Sequence, residues 1–136
     1  MGAALAACIP CCGVRIEQVD ERDCEWEDDR PRFRVYLFEG PVDHPGVTVD
    51  TYDITEADVF EAVRWAQERA GDHHLYAVAL VRDEQQRLDG IQMSRGLVWL
   101  VGQDLNDPAT GEVKRRRVQR MTARRGRRIV LDEAGL

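Results

Sequence analysis

Three groups of side chains in this 136-residue chain have ligand-binding chemistry, and the most unusual is a run of cations near the C-terminus. Lys114, Arg115, Arg116, Arg117, Arg120, Arg124, Arg125, Arg127 and Arg128 fall between positions 113 and 128 with no carboxylate among them. Guanidinium forks match phosphate and carboxylate oxygens, and each phosphate neutralised releases counterions, so such an arm binds polyanions without choosing a sequence. The formal net charge is -6; setting these nine cations aside leaves -15 on the rest. The chain is an acidic body with a basic arm. Residues 17–29 concentrate the opposite sign, eight carboxylates against one arginine, too much self-repulsion for anything but a solvated surface or loop.

The second group is thiols. Cys8, Cys11, Cys12 and Cys24 crowd into the first 24 residues, and Cys8-x-x-Cys11 has the bite of a zinc knuckle, with Cys12 or Cys24 able to add a thiolate. The usual second Cys-x-x-Cys or His pair is missing, so inert thiols are the plainer expectation. The third group is His44, His73 and His74. His73 and His74 follow Asp72 on a polar connection, where a metal or base role competes with simple solvation, and neighbouring residues on a strand point to opposite faces. The sequence has no Gly-x-Gly-x-x-Gly, Walker loop, Gly-x-Ser-x-Gly elbow or His-Glu-x-x-His, so no catalytic residue is assigned and the expectation is a protein that is not an enzyme.

These groups need elements to hold them. All nine aromatic residues lie between Trp26 and Trp99, which places the folded body there. Arg32–Glu39 alternates Phe33, Val35 and Leu37 with Tyr36 and Phe38 and predicts a strand; after a Pro-rich turn at 41–46, Val47–Ile54 predicts its antiparallel return. Thr55, with Asp58 three residues on, predicts the cap of a helix that runs to Ala70 before Gly71, with Val59, Phe60, Val63, Ala66 and Ala70 as its apolar stripe. Leu75–Val81 and Leu97–Val101 are apolar on both faces and predict central strands. Arg82–Gly90 between them reads as a polar connection, Ile91–Met93 as the start of the return, and Ser94–Gly96 as an interruption.

The fold class that follows is α+β: a small antiparallel sheet in the order β-β-α-β-β, covered by one amphipathic helix. Residues 113–121 are a candidate hairpin strand or a helix with only Val118 and Met121 as an apolar patch, and Ile129–Leu131 is a candidate last strand. The organisation is residues 1–30, Cys-containing and acidic; 31–105, the α+β core; and 106–136, a basic hairpin or arm. With 32% charged residues and no apolar run approaching the length of a membrane span, a transmembrane helix is excluded. Leu5-Ala6-Ala7-Cys8 matches a lipidation box but lacks the cationic start and apolar stretch before it, so the expected compartment is the cytoplasm unless the true start lies upstream.

The segments Phe33–Glu39, Ile54–Val59, Trp65–Gly71 and Gly96–Asp104 together resemble small uncharacterised actinobacterial α+β proteins over residues 33–104. The resemblance implies the strand, strand, helix and strands order and brings no activity with it.

The leading functional expectation is a non-catalytic protein-interaction module, an adaptor, assembly component or immunity-type inhibitor, using charge-separated surfaces against another protein or a second copy. Nucleic-acid binding through the arm is the alternative. Against it stand an acidic body and the lack of aromatic residues within 113–128 on which bases could stack. A third reading is a small zinc protein; otherwise no cofactor and no membrane partner are expected. The arm could also lie across residues 17–29 and neutralise them.

Overall fold

Alternation of Phe33, Val35 and Leu37 with Arg34, Tyr36 and Phe38 gives β1 (Phe33–Glu39) two usable faces, and both are covered. The computed structural model of the chain describes residues 13–40, 47–87, 91–107 and 111–129. In it β1 is flanked by β2 (Thr48–Ile54) and β3 (Leu75–Arg87), and β3 carries β4 (Ile91–Val101) on its other side. The order is β2-β1-β3-β4, with every neighbouring pair antiparallel. Helices α1 (Val59–Ala70) and α2 (Glu112–Ala123) complete a small α+β fold.

Register decides which side chains meet. Val35 lies opposite both Tyr52 and Val78, so the odd residues of β1 share a face with the even residues of β2 and β3. On that face Phe33, Val35, Leu37, Tyr76 and Val78 pack against Ala62, Val63, Ala66 and Ala70 of α1. Burying a Val, Leu or Phe side chain is worth about 1.5–3 kcal/mol, and the small alanines let the helix approach closely enough to collect it. The stripe is rotated from the expected one. Val59 and Phe60 are exposed, and Ala62 takes their place. Trp65 is partly buried at the stripe's edge, its ring meeting Tyr52 edge-on at 5.2 Å.

The cap of α1 also differs from the sequence reading. Asp58, not Thr55, is the N-cap: its carboxylate accepts the Glu61 backbone N–H at 2.8 Å, and the Glu61 carboxylate accepts the Asp58 N–H at 2.9 Å. Glu56 takes a φ of 60°, a left-handed turn that no helix can contain, so the helix starts after it. Gly71 ends the helix as expected, at φ 60° with its N–H on the Gln67 carbonyl.

Two further expectations are corrected. Residues 82–87, read as a connection, continue β3, and Ser94–Gly96 does not interrupt β4: Arg82 pairs with Gly96 and Arg87 with Ile91. The hairpin projects past β1 as a two-stranded ribbon. The second correction concerns residues 113–121, which form helix α2 and no strand, giving two helices where one was expected. Arg, Lys, Gln and Met are good helix formers, and Val118 and Met121, three residues apart, lie on one helical face.

Candidate functional site

Helix α2 seats on the sheet face opposite α1. Met121, 2% exposed, enters a second core with Phe38, Val47, Leu75 and Ala77, against which Tyr36, Trp99 and Leu105 pack. The basic arm therefore does own a core residue. Close approach depends on Gly102, which turns the chain at φ 72°; a Cβ there would lie 3.0 Å from both Cγ and Sδ of Met121. Asn106 holds the same loop to the start of β2. Its amide oxygen accepts the Val47 N–H at 3.1 Å and its Nδ2 donates to the Val47 carbonyl at 2.9 Å.

With Met121 inward and Val118 and Lys114 half-buried beside it, the arginines are displayed. Arg115, Arg116, Arg117 and Arg120 are exposed, and Arg124 is half-buried at the helix end. Arg117, Arg120 and Arg124, three and four residues apart, share one flank. With Trp99, Leu100, Val101 and Gly102 they line a cavity of about 200 Å³ between α2 and the end of β4. Among the described residues the ion pairs of the arm are Arg115 and Arg116 with Glu112, at 3.3 and 3.8 Å, and Arg128 with Glu68 at 2.9 Å. Those three cavity arginines make none. Like charges one turn apart repel each other, and an anion in the cavity would relieve all three.

The arginines of the sheet are in a different state. On the same face, beyond Tyr36, a ladder crosses all four strands. Arg34 of β1 binds Asp53 of β2 with Nε at 2.6 Å, Arg32 lies 3.6 Å from Asp53 and 3.7 Å from Asp83 of β3, and Arg95 of β4 binds Asp83 at 2.7 Å. The Arg34 hydrogen bond holds the Asp53 carboxyl below its ordinary value, and Arg95 does the same to Asp83. These cations are matched to carboxylates on neighbouring strands. The open positive charge belongs to α2.

Trp99, which the sequence reading places in a central strand, is partly buried, its ring tilted against Tyr36 at 5.1 Å, and it is among the residues that line this cavity. The turn sequence Gly102–Asn106, which brings α2 back across the end of β4, was the available signal.

The acidic lead-in lies elsewhere. Residues 13–30 are exposed throughout; Asp20 caps a short 3₁₀ turn, Glu21–Asp23, and the Arg82 guanidinium sits 5.8 Å over the Trp26 ring. Arg82 is five residues along β3 from Ala77, which supports Met121. Among the described residues the arm's ion pairs are with Glu112 and Glu68 and none is with residues 17–29. The arm runs on to α1: the turn at Gly126 packs on Asp72, Arg128 reaches Glu68, and the Ile129 N–H bonds the Gln67 side chain at 2.9 Å.

Of the other groups, the members among the described residues are not brought together. Cys8, Cys11, Cys12 and His44 lie outside the described residues, as does the turn at 41–46. Cys24 is exposed, its thiol 3.4 Å from Asp23. His73 is exposed and His74 lies 3.6 Å from Glu39. Among the described residues no three His, Cys, Asp or Glu side chains are grouped to hold a metal ion, and no helix is long and apolar enough to cross a membrane.

The chain matches no protein-family model, no curated protein and no solved structure.

Proposed function

We propose that the protein is a non-catalytic nucleic-acid-binding module that holds phosphates with α2. One observation carries this reading: Arg117, Arg120 and Arg124 line a single cavity beside β4 and, among the described residues, pair with no carboxylate. Three arginines lining one cavity suit a ligand with more acceptor oxygens than the two of a carboxylate, and a phosphate has them. Among the described residues none of the carboxylates of residues 17–29 pairs with these arginines.

The test is fluorescence anisotropy of a labelled oligonucleotide over a salt series. Binding should weaken steeply with salt, and the combined change Arg117→Gln, Arg120→Gln and Arg124→Gln should flatten the slope of log affinity on log salt by about 2 on a single strand. No binding at low salt, or an unchanged slope in the variant, would overturn the reading.

A second reading is docking onto an acidic protein or a second copy, as an adaptor, assembly component or inhibitor. It is favoured by the seating of the two charge blocks at separate places on β3, where each faces outward. Under it, poly-glutamate competes with the oligonucleotide at equal charge concentration, and light scattering at low salt shows a mass above that of the monomer.

A further inference from the structure

The cavity between α2 and the end of β4 is small and almost entirely polar: about 200 Å³, lined by Arg117, Arg120 and Arg124 on the helix and by residues 99–102 at the strand end. Pockets that enclose a whole drug-sized ligand run from about 300 to 1,000 Å³ and are mostly apolar. This one has room for a charged group and offers little apolar wall to a base or a sugar. We infer that it takes a terminal phosphate, the phosphomonoester dianion at the end of a nucleic-acid strand, in preference to a diester of the strand's backbone. The inference rests on the nucleic-acid reading and narrows it from phosphates anywhere along a strand to those at its ends.

Oxygen count and charge both favour the end group. A backbone diester carries one negative charge and two free acceptor oxygens, whereas a terminal phosphate carries nearly two charges at pH 7 and three strong acceptor oxygens. Three guanidinium forks, charged at every accessible pH, have donors for all three oxygens. Arg117, Arg120 and Arg124 stand three and four residues apart on one flank of α2, where like charges repel. Against three positive charges a diester leaves two uncompensated and the dianion about one, so the end group relieves more of the repulsion. Among the described residues no carboxylate does so.

The walls are held by packing. Gly102, which lines the cavity, is the residue against which Met121 lies, and Met121 is 2% exposed. That contact fixes the helix beside the strand end, with Arg120 next to the buried methionine and Arg124 half-buried one turn on. A backbone diester is tethered on both sides, so reaching the arginines would draw two sugars against a polar lining. A terminal phosphate enters on one tether and leaves the rest of the strand outside.

The experiment is competition on the full chain, with unlabelled short single strands displacing the labelled oligonucleotide. Three strands of one sequence are compared: phosphorylated at both ends, with free hydroxyls at both ends, and with each terminal phosphate capped as its methyl ester. The capped strand has as many phosphates as the first, all of them diesters. At pH 7.5 the phosphorylated strand should bind about tenfold tighter than either of the others, the order of one charge-assisted hydrogen bond. The preference should vanish in the combined Arg117→Gln, Arg120→Gln and Arg124→Gln protein. The second ionisation of a phosphomonoester lies near pH 6, and no lining residue titrates between pH 5.5 and 7.5, so the preference over the capped strand should grow about fourfold across that range. Inorganic phosphate should compete about a hundredfold more weakly than the phosphorylated strand. Equal binding of phosphorylated and capped strands by the wild-type protein, a comparison that needs no variant, would overturn the inference, as would a preference that survives in the glutamine variant. A steep salt slope common to all three strands would then leave phosphate binding by α2 intact. Inorganic phosphate competing as well as the phosphorylated strand would remove the strand end as the ligand, and failure of every strand to bind at low salt would overturn both readings.

Discussion

Met121 lies against Gly102 so closely that a single added methyl would meet both Cγ and Sδ of the methionine at 3.0 Å. The pair fastens the basic helix to the sheet. Gly102→Ala adds a clash to a backbone at φ 72° that L residues rarely adopt, and should destabilise the protein by about 1–3 kcal/mol. Met121→Ala removes the side chain that fills the second core and should lose about 2–5 kcal/mol. Urea unfolding measures both. Each variant should also be nicked by trypsin within residues 115–128 at urea concentrations where the wild type resists. Stability within 0.5 kcal/mol of wild type in both variants would contradict the packing described.

The helix cap separates two nearby residues. Asp58→Ala removes the carboxylate that accepts the Glu61 N–H, leaving only the backbone half of the reciprocal pair, and should cost about 0.5–2 kcal/mol, whereas Thr55→Ala, before the left-handed Glu56, should stay within about 0.5 kcal/mol. An equal loss at the two positions in thermal or urea denaturation would place the start of α1 elsewhere.

Acid should loosen the sheet through its charge ladder. Asp53 and Asp83 are held below the ordinary carboxyl value by hydrogen bonds from Arg34 and Arg95. Because the folded value is the lower one, their pairing contributes fully above the unfolded value near 4 and is lost as pH falls through the folded value. Stability should be level in this respect above about pH 5 and decline below pH 4. Asp53→Asn should lower stability at pH 7 and flatten the acid decline; an unchanged acid slope in urea midpoints from pH 3 to 6 would show that Asp53 does not carry it.

Asn106 stands in for a missing strand residue by giving and taking a hydrogen bond with the Val47 backbone. Asn106→Ala leaves both Val47 groups without that partner at a half-buried site and should cost about 1–3 kcal/mol. Asn106→Asp, which keeps the acceptor and loses the donor, should fall between alanine and wild type. Hydrogen exchange at the Val47 amide reports the same loss locally and should quicken in both variants.

By itself the sequence determined the elements whose residues are buried. The alternation in Phe33–Glu39, the apolar Leu75–Val81 and the helical spacing up to Ala70 and Gly71 are written in residue type, because burial selects apolar side chains at the period of the backbone that carries them. It also determined that positive and negative charge are concentrated in separate stretches. What it left open lies where the pairing is between backbones or where the partner is far away along the chain. The ribbon of Arg82–Arg87 with Ile91–Gly96 is held by pairing between backbones, which any residue can supply. Whether Val113–Met121 forms a strand or a helix could not be settled from two apolar residues. The answer depended on a seat made by Ala77 of β3 and Gly102, just past the end of β4. Trp99 and Arg117, Arg120 and Arg124 meet for the same reason: their distance in space is set by how α2 packs across the end of β4, and spacing along a chain carries no information about a surface two elements share.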